Sequence, residues 1–200
     1  MVVRTAYLLN LRGRDVPFNP VFQAYLYVGL EKAIIFIETS KVNDDTAAYI
    51  HSLDVELREY NDIWTFLRKR EMGEGKVSLQ TLVYVLQRLI EPILQVLINS
   101  QTSYAISLML THLRYTVAPS FIDEMKAVKN TTEIDGLRHA YLRDGAAFVR
   151  WLSWLEEKMS QGYEITEYEA AWRLTEYRRH NKHFQGLAYE NISASGPNAG

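Results

Sequence analysis

Hydrophobic positions in the first part of the chain come in short blocks separated by breakers. Thr5 to Leu11 is an apolar run that reads as extended, and RGRDVPFNP after it holds Gly13, Pro17 and Pro20, which interrupt any regular element. VFQAYLYVG and KAIIFIE are β-branched and aromatic runs of strand length, bounded by Gly29 and by Thr39-Ser40. Asp44, Asp45 and Thr46 are placed to cap a short helix through His51. VELREY reads as a further strand, and Asp62 opens a helix over IWTFLRKREM that Gly73 and Gly75 close. Strands alternating with helices predict a small α/β unit.

The period then changes. Ile134, Leu137, Tyr141, Phe148, Leu152, Leu155 and Met159 recur at the 3.6-residue spacing of a long amphipathic helix. Gly145 falls within that helix, where it costs about 1 kcal/mol relative to alanine, and reads as a small residue that admits a close neighbour. SQGYEI is a loop. Thr166 with Glu169 forms a capping box that opens a second helix running through AAWRLTEYRRHNK, and the tail YENISASGPNAG is small, polar and glycine-rich. Between the two halves, KVSLQTLVYVLQRLIEPILQVLIN (residues 76–99) fits neither pattern.

Composition narrows the class without naming it. The 200 residues are 48% hydrophobic and 23% charged, ordinary for a globular protein. A formal net charge of −2 exerts no general pull towards nucleic acid or anionic membrane. With no cysteine there is neither a disulfide nor a thiolate metal site. No run of membrane-spanning length is free of charge, since even the oily segment carries Arg88 and Glu91, and the N-terminus has no signal-peptide pattern. The expectation is a soluble cytoplasmic protein with no nucleic-acid or membrane partner.

The residue types that carry chemistry are scattered. His51, His112, His139, His180 and His183 form no HExxH and no pair four apart on a helix. His180 and His183, three apart and beside Arg178 and Arg179, read as a solvated helix end that shares one face. No nucleophile elbow, Walker loop or dinucleotide fingerprint is present. The run Arg68-Lys69-Arg70 reads as a solvated face, and the carboxylates of EIDG and LRDG as surface or capping groups. The residues by themselves show no complete active site.

Three stretches do carry a resemblance: AYLLNLRGRDVPFNPVFQAYLYVGLE (residues 6–31); SYAISL followed by MKAVKNTTEIDGLRHAYLRDGAAFVRWLSWLE; and TEYEAAWRLTEYRRHNKHFQGLAYENISASGPNAG. Together they resemble the Xaa-Pro aminopeptidases (aminopeptidase P), metallopeptidases of the pita-bread fold shared with creatinase. The NLRG-x-D-x-P-x-NPVF string is its most specific part; residues 42–72 match more loosely, and Glu190 stands where the family more often has proline. The resemblance implies that residues 1–117 are a second creatinase N-terminal-type α/β domain. Residues 118–200 would be the linker and opening helices of a truncated pita-bread peptidase domain. It also implies two metal ions, usually manganese, held by two aspartates, a histidine and two glutamates, which activate a water to cut before a penultimate proline. All five ligands are expected beyond residue 200, so the resemblance implies no catalytic, metal-ligating or cofactor-binding residue within residues 1–200, and this chain alone is expected to bind no metal and to be inactive. The uncovered sheet-facing sides of its helices would make it prone to aggregate.

Removing residues 77–95 closes the flanks to GEGKVLINSQTSYAISL, which reads as the family's own strand-then-helix pattern. The removed piece is in frame, and its ends are compatible with splice-site codons, so it reads as a translated, retained intron. The competing reading is an amphipathic insertion, with Leu79, Leu82, Val83, Leu86, Leu89 and Ile90 near helical spacing and Pro92 ending it. Two readings of function follow. One is part of a metal-dependent Xaa-Pro aminopeptidase acting on proline-containing peptides; the other is a non-catalytic creatinase-type module acting through protein contacts, as a homodimer or with a full-length relative.

Overall fold

The computed structural model describes residues 2–29, 32–69, 96–110 and 115–200. They fall into two compact units, one through Val128 and one from Lys129 to Gly200. The fold class is the expected mixed α/β.

The first unit is built around one strand. β1 (Ala24–Val28) pairs antiparallel with β2 (Ala33–Ile37), and β2 pairs parallel with β3 (Val55–Glu59). The strand in the middle reads AIIFI, apolar at every position, which is what a strand covered on both faces requires. Ile34, Ile35 and Phe36 are each 0% exposed. Ile34 and Phe36 join Tyr27, Ile63, Phe66, Leu67, Val96, Ile98, Ile106 and Leu110 in one core cluster. That cluster draws on α3 (Asp62–Lys69), β4 (Val96–Ile98) and α4 (Tyr104–Leu110). Ile35 and Ile37 join a second cluster, with Ala6, Leu9, Val21, Phe22 and Ile50 among its members. It draws on α1 (Val2–Leu8) and α2 (Asp44–Ser52). β4 pairs parallel with β5 (Tyr115–Val117).

Two local expectations are corrected. The run from Thr5 is not extended: its first half, through Leu8, lies in α1, with Thr5 and Ala6 buried, Leu8 exposed and Leu9 buried just past the helix end. That spacing is helical, but a run apolar at nearly every position shows no period to read. The helix ends in a Schellman-type cap, with Asn10 at φ 50°, its N–H donating to Tyr7 O (3.1 Å) and the Leu11 N–H to Ala6 O (3.0 Å). For α2, the cap is Asn43, whose side chain accepts the Thr46 N–H at 2.9 Å. Asp44 and Asp45 sit instead in the first turn, where their charge favours the helix dipole. The expected stop at Gly73 and Gly75, Arg70, His112 and all of residues 77–95 lie outside the described residues.

The string NLRGRDVPFNPVF folds as a loop pinned to the second core. Gly13 donates to Pro20 O (3.3 Å) and Asp15 N–H to Val21 O (3.1 Å). The Asp15 carboxylate accepts the Gln23 N–H at 2.8 Å and meets Lys41 Nζ at 2.9 Å. These contacts, the Gln23 amide first and the lysine second, hold the Asp15 carboxyl below the usual aspartate value. A carboxyl whose folded pKa is depressed contributes stability above its unfolded value, and loses it as pH falls through the folded one. Asp15→Asn is therefore expected to lower the urea midpoint near neutral pH. The gap from the parent should close as pH drops below about 4. A gap that persists unchanged to acid would show that the Asp15 charge carries none of this.

The first compact unit continues past residue 117 through Val128 and includes α5 (Phe121–Ala127). α5 is tied to α1 by a forked ion pair, Arg4 Nε to Asp123 Oδ1 at 2.8 Å and Nη2 to Oδ2 at 2.6 Å. The Tyr7 hydroxyl adds a bond to Met125 O at 3.2 Å. Arg4 is the residue just before the TAYLL block, and nothing local in the sequence points it at Asp123.

The second unit is a helical hairpin with a C-terminal arm. α6 (Thr131–Ser160) begins at an Asn130–Glu133 capping box, and α7 (Glu167–Arg179) at the Thr166–Glu169 box read from the sequence. The two helices meet where Ala147 (0% exposed) and Ala170 (8%) allow close approach, and Trp151 Nε1 donates to Ala170 O at 2.8 Å. Gly145 does not serve this contact, contrary to expectation: a Cβ there would meet nothing within 4 Å. It lies two residues from Ala147, about 200° around the helix, on the far side from α7.

Candidate functional site

The densest polar constellation of the second unit lies where α6, the end of α7 and the arm converge. Asp144 projects from the middle of α6 and is met by the Arg178 guanidinium, Nε to Oδ1 at 2.7 Å and Nη2 to Oδ2 at 3.1 Å. The forked geometry fixes α7 in rotation as well as distance. Arg178 Nη1 also reaches Asn191 Oδ1 at 3.5 Å. The Asn191 amide donates to Thr175 Oγ1 (2.7 Å) and Ala171 O (3.1 Å). Asn181 closes the set by donating to Arg143 O at 2.9 Å. Asp144, Arg178, Asn181 and Asn191 border a cleft of about 440 Å³ that Tyr141 and Phe184 also line.

Further along, the arm returns to the start of α7. The Glu167 carboxylate accepts Ser195 N–H (2.6 Å), Ser195 O–H (2.7 Å) and the Asn198 amide (3.1 and 3.2 Å). Those bonds, the Ser195 hydroxyl first, hold the Glu167 carboxyl below its ordinary value. Gly196 sits at φ 52°, a left-handed conformation that lets the chain turn into this carboxylate.

Chemically, the constellation binds the chain to itself. Asp144 lies at the surface, as expected of the LRDG carboxylate, and is there committed to Arg178. The two histidines near it do not share a helix face: α7 ends at Arg179, His180 is its cap, and His183 has φ 67°. His51 and His139 are exposed on α2 and α6. Arg68 folds back to donate to Trp64 O at 3.2 Å. Among the described residues no group of three or more His, Cys, Asp or Glu could hold a metal ion, so they do not fit a dinuclear centre. No described helix is long and apolar enough to cross a membrane. Asp144, Arg178, Asn191 and Glu167 were not singled out from the sequence as partners. Each pairs with a residue too distant along the chain for any periodicity to connect them.

The other conspicuous feature is uncovered apolar surface. Along the α6 stripe read from the sequence, Tyr141 is 77% exposed and Met159 65%, with Leu137 and Leu152 nearly half exposed and Leu155 half-buried. Leu142 (72%) and Val149 (64%), which lie off that stripe, add further exposed apolar surface.

Comparison with known proteins places these features. Residues 1–133 match the family model of the creatinase/prolidase N-terminal domain, and residues 135–200 that of metallopeptidase family M24. A protein of Tuber melanosporum named "Probable Xaa-Pro aminopeptidase P" is 33% identical over 100% of this chain and 32% of its own length. One of Laccaria bicolor with the same name is 37% identical over 99% of this chain and 28% of its own. Among solved structures, the X-prolyl aminopeptidase of Caenorhabditis elegans superposes with a TM-score of 0.82 at 28% identity. It is described as a cytosolic enzyme with a di-nuclear active site, and the match covers 96% of this chain and 29% of that one. The chain thus spans about a third of the length of the relatives it matches.

Proposed function

The chain belongs to the creatinase/prolidase N-terminal domain family through residues 1–133, and from that premise we propose that it is the framework part of a metal-dependent Xaa-Pro aminopeptidase. The whole enzyme would remove the first residue from peptides whose second residue is proline. Its metals would be two divalent ions, manganese by preference, and its compartment the cytoplasm. The observation that carries this reading is the likeness to an X-prolyl aminopeptidase across nearly the whole chain, both units included. The family's metal centre does not fit the described residues, so no step of hydrolysis is assigned to them. Their part is to carry the α/β domain and the first helices against which the remaining peptidase domain would fold. The open apolar stripe of α6 is consistent with such a covering surface.

That same stripe supports the second reading, a non-catalytic module that associates through this face with a further copy or a longer relative. One experiment separates the two. The transcript is sequenced from the codons of Tyr60 to beyond Gly200, and the 200-residue chain and any longer product are assayed for manganese-dependent release of the first residue from an Xaa-Pro peptide. A frame that continues into an active longer product, with the 200-residue chain inert, supports the peptidase framework. Loss of codons 77–95 from the mature message would identify that run as intron. A transcript that stops after Gly200 favours the module, and clear turnover by the purified 200-residue chain would overturn the placing of the metal centre outside it.

A further inference from the structure

The N-terminus of α7 carries two carboxylates with different employment. Glu169 completes the capping box, taking the Thr166 N–H at 3.1 Å while its own N–H bonds Thr166 Oγ1. The helix start is therefore satisfied without Glu167. The Glu167 carboxylate is free to reach across 28 and 31 residues of sequence, where it meets only neutral donors: the Ser195 amide and hydroxyl and the Asn198 side chain. Four contacts from one carboxylate to one short turn fix that turn in position and in orientation, because both oxygens are engaged.

We propose that Glu167 is a positioning residue, whose carboxylate seats the Ser195–Asn198 turn on the start of α7 and thereby sets the course of the SGPNA segment. The seat works alongside Asn191, which anchors the preceding part of the arm to Ala171 and Thr175. If the peptidase reading holds, this segment belongs to the peptidase domain and Glu167 sets its direction there; the seating itself does not depend on that reading.

Hydrogen exchange on the full 200-residue chain, followed by mass spectrometry, tests it. Glu167→Ala is expected to speed exchange in the peptide covering residues 190–200 by about tenfold, with α6 and the body of α7 changing far less. Asn198→Ala, which leaves α7 untouched, should raise exchange in the same peptide by a smaller factor. E167Q keeps a carbonyl oxygen for Ser195, and Asn198 can turn its amide to accept from the new Gln NH2, so this variant should keep most of the protection that Glu167→Ala loses. Glu167→Leu, which keeps bulk but offers no acceptor, should speed exchange as Glu167→Ala does; a merely space-filling role for Glu167 would leave the turn protected in it. Unchanged exchange at residues 190–200 in Glu167→Ala, or protection retained in Glu167→Leu, would overturn the proposal. Neither result bears on whether a longer product hydrolyses peptides, so the two readings fail separately.

Discussion

Phe66→Ala is expected to lower the unfolding free energy of the first unit by about 3–5 kcal/mol. Phe66 is 1% exposed and lies at the junction of α3 with the sheet. Its ring centroid is 4.9 Å from Tyr27 and 5.4 Å from Phe36, both in offset or edge-on arrangements that favour aromatic pairs. Lys32 and Arg58 approach the same ring at 5.7 and 5.8 Å. Removing the ring leaves a cavity against Tyr27 and Phe36, buried on the paired strands β1 and β2, which cannot readily move inward together. Urea unfolding of the chain and the variant measures the loss. Tyr104→Ala, at a side chain 76% exposed, is the control and should change stability by no more than about 0.5 kcal/mol. A loss of under about 1 kcal/mol for Phe66→Ala would mean that this junction is not the core.

Gly13→Ala should destabilise by about 1–3 kcal/mol, despite being the smallest possible addition. The new Cβ would fall 2.6 Å from Phe22 Cβ and 3.0 Å from Val21 O. Neither atom is the loose end of a side chain: one is fixed to the backbone of a buried residue and the other is the backbone. The loop would have to lift from the second core, straining the bonds of Gly13 to Pro20 and of Asp15 to Val21. Gly145→Ala provides the opposite sign. It adds a methyl group to open space in a helix and should stabilise by about 1 kcal/mol. Thermal melting of both variants tests the contrast; Gly13→Ala melting with the parent would show that the loop yields without cost.

Much of the fold could be read directly where the signal was local or periodic. β2 is legible because KAIIFIE is rich in β-branched and aromatic residues over a strand's length and is bounded by breakers, not because it is apolar throughout. The Thr166–Glu169 box needs residues three apart, and the α6 stripe repeats every turn. α1 failed for the converse reason: an unbroken apolar block has no period, and only burial against Leu26 and Ile35 in the same cluster selects helix over strand. The cap of α2 is Asn43 and not one of the three residues after it, because four capping candidates, Asn43 to Thr46, stand side by side.

The α/β class and most helices and strands can be read along the chain, and so can the unusual string from Asn10 to Phe22. Packing in the folded unit sets what that string does, which is to let a loop close on the second core through a missing Cβ at Gly13 and a charge at Asp15. It alone brought together Arg4 with Asp123, Arg178 with Asp144, and Glu167 with Ser195, across 119, 34 and 28 residues. The physical reason is the same for each. Periodicity and capping act within a few residues of backbone, whereas an ion pair or a seated turn depends on where two distant segments happen to be delivered, and packing of the whole unit sets that.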